Sequence, residues 1–92
     1  MEAESARRTE RQHLATVSFD GRFWDAYLDF TERPDSAAYR AFVSFSQADA
    51  PDEDPVNTTV IFIEPSLDDI LLKARSFSDH QLVSLLRSAR AE

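Results

Sequence analysis

Gly21 is the only glycine in the chain, it follows Asp20, and apolar and polar residues alternate on both sides of the pair. A two-residue type I′ turn needs φ > 0 at both central positions, and Asp-Gly meets that need. A hairpin closed there pairs Phe19 with Arg22, Val17 with Trp24, Ala15 with Ala26 and His13 with Leu28. One face then carries Ala15, Val17, Phe19, Trp24, Ala26, Leu28 and Phe30. The other carries Leu14, Thr16, Ser18, Phe23, Asp25, Tyr27 and Asp29. A slip of one residue would mix the two sets, so turn chemistry and pattern specify the same hairpin.

The rest of the chain adds strands and then helices. Residues 31–37 (TERPDSA) read as a turn, with Pro34 fixing φ and Asp35-Ser36 favouring local hydrogen bonds. A third strand is expected over Tyr39 to Gln47, with Tyr39, Ala41, Val43 and Phe45 on one face and Phe42 on the other. The acidic, proline-bearing stretch 47–57 reads as a surface loop, and a fourth strand from Asn57 to Glu64 is apolar on both faces at its centre. Ser66 and Ser78, each followed three residues later by Asp69 or Gln81, predict two capped helices. Leu67, Ile70, Leu71, Ala74 and Phe77 recur at helical spacing in the first, and Leu82, Leu85, Leu86 and Ala89 in the second. Acids near both helix starts and bases near both ends complement the macrodipoles. The expected architecture is α+β: an antiparallel four-stranded sheet, β-β-β-β-α-α, with two C-terminal helices packed on one face. Residues 1–11 are expected to be a flexible tail, and residues 12–91 a single domain.

Composition narrows the function classes. At 92 residues, 42% hydrophobic and 29% charged, the chain has material for one core. It contains no cysteine, which excludes disulfides, thiolate metal sites and cysteine nucleophiles. A single glycine excludes P-loop and dinucleotide fingerprints. No apolar run has the length of a membrane span, and the N-terminus lacks the apolar stretch of a signal peptide, so a soluble, cytoplasmic protein is expected. The net charge of −7 is regional, with twelve acids and three bases between residues 20 and 69. Such a surface repels phosphates and anionic membranes, so neither nucleic acid nor a membrane is the expected partner. Nine of ten bases are Arg. That acid-rich, lysine-poor balance suits a high-salt cytoplasm, a GC-rich genome, or a basic partner.

Candidate chemistry is sparse. His13 and His80 belong to separate elements and have no metal-ligand spacing. The acidic loop Asp49, Asp52, Glu53 and Asp54 lacks the glycine that an EF-hand requires, so no specific metal and no cofactor is expected. Asp25 and Asp29, four apart on one strand, stand about 13 Å apart, too far for a two-carboxylate mechanism. The second hairpin face is the more informative surface. Phe23 and Tyr27, joined by Phe42, form an aromatic patch with Asp25 and Asp29 as its polar rim. An exposed patch of that kind marks an interface, and the expected function is a small non-enzymatic module that binds itself or another protein there. The alternative is a small-ligand-binding domain or enzyme with a pocket between sheet and helices, using His13, Arg22, Trp24 and Arg40. A third reading, an acidic decoy for a nucleic-acid-binding protein, rests on charge alone.

Overall fold

A computed structural model describes residues 11–31 and 38–90. Its elements, in chain order, are β1 (Gln12–Phe19), β2 (Arg22–Thr31), β3 (Tyr39–Gln47), β4 (Val56–Asn57), β5 (Phe62–Glu64), α1 (Leu67–Arg75) and α2 (Asp79–Arg90). The sheet is antiparallel with order β1-β2-β3-β4, and β5 joins the same edge of β3 as β4. This is the expected α+β arrangement, with the fourth strand delivered in two pieces. The expected tail and the turn before β3 fall largely outside the described residues, but Arg11 is placed, its Nε 3.2 Å from Asp29 Oδ1.

The hairpin closes as its sequence requires. Asp20 and Gly21 have φ of 57° and 76°, the two positive values that a type I′ turn needs. From Phe19↔Arg22 to Ala15↔Ala26 the register is the expected one. It then slips: His13 lies opposite Tyr27 rather than Leu28, and Leu14 is the extra residue of a β-bulge. The slip corrects a mismatch of polarity. Continuous register would turn His13 toward the core and Leu14 away from it. With the bulge, His13 joins the face of Tyr27 and Leu14 packs against the core.

A second irregularity splits the expected fourth strand. β4 pairs Val56 with Phe45, whereas β5 pairs Phe62 with Ala41, so two extra residues enter between them. Thr58 sustains the ladder there. Its backbone N–H donates to the Val43 carbonyl at 2.9 Å, and its Oγ1 accepts from Val43 N at 3.0 Å. An offset of two keeps the side-chain alternation, so Val56 and Phe62 both face the core side. Val60 and Ile61 are left at the surface of the interruption rather than in a strand needing cover on both faces.

Both helices start at the expected caps. Ser66 Oγ accepts from Asp69 N at 3.1 Å. Ser78 and Gln81 form a reciprocal capping box, with Gln81 N donating to Ser78 Oγ at 3.2 Å and Ser78 N to Gln81 Oε1 at 2.8 Å. The helices bring Ile70, Ala74, Leu82 and Leu86 against Val17, Trp24, Ala26, Leu28, Ala41, Val43, Phe45 and Phe62. Fully burying Phe45, Leu28, Ile70, Leu82 or Leu86 stabilises the fold by about 1.5–3 kcal/mol each. The Trp24 indole N–H, within this core, is satisfied by the Phe19 carbonyl at 3.2 Å. Arg90 of α2 lies over the Trp24 ring, 5.6 Å from its centroid, and 3.7 Å from Asp20, tying the last helix to the hairpin turn.

Candidate functional site: the outer face of the sheet

Every core-facing strand residue has a neighbour that points the opposite way, and that alternation builds the outer face. Along β2 it carries Phe23, Asp25, Tyr27 and Asp29, and along β3 Arg40, Phe42, Ser44 and Ser46. Ile63 of β5 stands beside Arg40. Phe23 is 63% exposed at the hairpin end of this face, while Tyr27 and Phe42 are half-buried. The three aromatics are spread rather than stacked together. Tyr27 is paired across the strands with Ser44, and Phe42 with Asp29.

The bulge at Leu14 concentrates the polar groups of this face. His13 Nε2 lies 3.0 Å from Asp25 Oδ1, and the Thr16 hydroxyl donates to the same oxygen. The His13 ring meets Tyr27 edge-on, with centroids 5.3 Å apart. Arg11 completes the group, its Cζ 4.2 Å from the centre of the Tyr27 ring and its Nε on Asp29. The Thr16 hydroxyl holds the Asp25 carboxyl below its ordinary value of 3.8; partial burial opposes this, and the His13 hydrogen bond and charge add to it. Sequence reasoning placed Asp25 and Asp29 on this face and missed their partners. The available signal was the break in alternation at His13-Leu14.

Threonine, histidine and aspartate in contact invite comparison with a nucleophile relay, and the geometry differs from one. A relay puts the imidazole between hydroxyl and carboxylate, one ring nitrogen to each. Here Nε2 approaches both, at 3.0 Å from Asp25 and 3.4 Å from the Thr16 hydroxyl, and the hydroxyl proton goes straight to the carboxylate. The group braces the bulged strand against β2. It also changes the character of the polar rim: Asp25 and Asp29 are both engaged by residues of their own chain.

The residues of the ligand-pocket reading do not converge. Trp24 is buried under α2, and Arg22 lies at the hairpin end with its Nη1 2.6 Å from Gln47 Oε1. His13 and Arg40 are on the outer face, His13 because of the bulge. An open groove between the β4/β5 interruption and α2, lined by Asn57, Thr58, Ile61, Leu85 and Ala89 among others, contains none of the four. Among the described residues no three His, Asp or Glu side chains are grouped to hold a metal ion. Among the same residues no helix is long and apolar enough to cross a membrane. No family model, curated protein or solved structure matches this chain.

Proposed function

We propose that this chain is a small, non-enzymatic protein-interaction module that uses the outer face of β1–β3, centred on Phe23, with Tyr27 and Phe42 as the adjoining contact area. The observation that carries this reading is the exposure of Phe23, a large aromatic at 63%, on the side of the sheet opposite α1 and α2. Aromatic side chains supply contact area at low entropic cost, and they recur at the centres of interfaces. The braced Tyr27, held between Arg11 and His13, is pre-ordered for such a contact.

A photo-crosslinking amino acid placed at Phe23 tests the proposal, with the same group at Leu72 as control. Leu72 is 71% exposed, on α1. Crosslinking in the cell that depends on position 23 and is absent at position 72 is the expected result. The companion variant, Phe23→Asp, is expected to abolish the crosslinked association while leaving the melting temperature nearly unchanged. Equal crosslinking at both positions, or a Phe23→Asp variant that unfolds, overturns the reading.

A further inference from the structure

The two edges of the sheet are unlike. The β4/β5 edge is broken into strands of two and three residues and flanked by Pro55 and Pro65. β1 runs for eight residues without proline, lysine or acid, and its one titratable group, His13, is turned onto Asp25. Sheets ordinarily blunt an edge of that length with charge or proline.

The direction of the β1 backbone groups follows from the pairing. Phe19 and Arg22 close the turn as a hydrogen-bonded pair, so Val17/Trp24 and Ala15/Ala26 are hydrogen-bonded pairs as well. The bond from Ala48 N to the Phe23 carbonyl, on the β3 side, agrees with this phase. Thr16 and Ser18 therefore turn their N–H and C=O away from β2, and so does His13, opposite Tyr27 beyond the bulge. Among the described residues nothing takes up these groups.

We propose that β1 is where a second copy of this chain adds, antiparallel, about a two-fold axis at Thr16. A two-fold axis perpendicular to the sheet requires opposed residues to share a face and to present their backbone groups to each other. Centring on Thr16 meets both conditions. Thr16 faces the second copy's Thr16, and Ser18 faces the second copy's His13, because the bulge at Leu14 absorbs one residue. The same count brings Asp20, which lies beside Arg90 in its own chain, opposite the second copy's Arg11, which rests on its own Asp29, so this pair forms by exchange of those partners. A chain of net charge −7 meets its own copy most easily along a strand that carries no acid. The resulting continuous sheet keeps both pairs of helices on one side, and it does not use Phe23, so it stands apart from the reading above.

The test is the mass of the full chain by light scattering across the micromolar range, with amide exchange at Thr16 and Ser18. The expected result is a dimer in which these two amides become protected as concentration rises. Ser18→Pro removes an outward N–H without removing a β1–β2 hydrogen bond, and is expected to give a folded monomer. Asp20→Asn preserves the positive-φ turn and is expected to raise the dissociation constant several-fold. A monomer throughout overturns the proposal, as does a dimer in which Thr16 and Ser18 exchange freely. So does a dimer that survives Ser18→Pro and is lost in Phe23→Asp, which would assign association to the face instead. Should Ser18→Pro fail to fold, the exchange of the two wild-type amides decides.

Discussion

Replacing Gly21 with alanine isolates the conformational cost of the turn. A Cβ built at Gly21 meets no atom within 4 Å, so steric crowding contributes nothing. What remains is φ of 76°, a region that costs an L-residue about 1–2 kcal/mol. For a domain of this size, 1 kcal/mol moves the melting temperature by about 4–8 °C, so Gly21→Ala is expected to melt roughly 5–15 °C lower. Urea titration is expected to show a lower midpoint at unchanged slope, since the surface exposed on unfolding stays the same. Gly21→Asn, which tolerates the left-handed region, is expected to lose less. D-alanine at the same position, introduced by synthesis, prefers positive φ and is expected to match or exceed wild type. Equal destabilisation by L- and D-alanine would refute the reasoning, because only a steric or hydrogen-bonding cost is blind to handedness.

Two further predictions probe the irregular segments. Because the Asp25 carboxyl is held below its ordinary value, its stabilisation is present above the unfolded pKa near 3.8 and is lost as pH falls through the lower folded value. Thr16→Val is therefore expected to lower the melting temperature at neutral pH, with the gap from wild type narrowing as the pH drops below about 4; a pH-independent gap would contradict this. Thr58→Val leaves the N–H of the buried Val43 without its side-chain acceptor and is expected to cost about 1–3 kcal/mol by chemical denaturation, whereas Thr58→Ser is expected to be near neutral. A loss in Thr58→Ser with little or none in Thr58→Val would show that the methyl group of Thr58, rather than its hydroxyl, supports the interruption.

Local rules made the regular parts of this fold legible. Asp20-Gly21 announces its own turn, and Ser66 and Ser78 announce their helices, because each feature depends on residues a few positions apart. The two register shifts depend on partners distant in sequence. The bulge at Leu14 is decided by what β2 presents, namely Tyr27 and Asp25 on one face and Leu28 on the other. The interruption at Thr58 is decided by Val43, fifteen residues earlier. At the candidate site the aromatics were placed on the outer face by alternation alone, whereas Arg11, which joins Tyr27 to Asp29, lies in a stretch without periodicity. Apolar content on both sides of residues 60–63 suggested a strand covered twice; the structure resolves it by leaving Val60 and Ile61 outside any strand.

The two-residue offset between β4 and β5 also sets how this edge tolerates changes of length. Side chains alternate with a period of two, so adding or removing a pair of residues between Thr58 and Ile61 leaves Val56 and Phe62 facing the core. A single inserted or deleted residue would turn one of them outward unless a bulge took it up. For Phe62, now 5% exposed and edge-on to Phe77 of the α1–α2 connection with ring centroids 5.7 Å apart, that means losing its seat under the helices. Even steps along this edge therefore need no further rearrangement, whereas an odd step needs a bulge such as the one at Leu14.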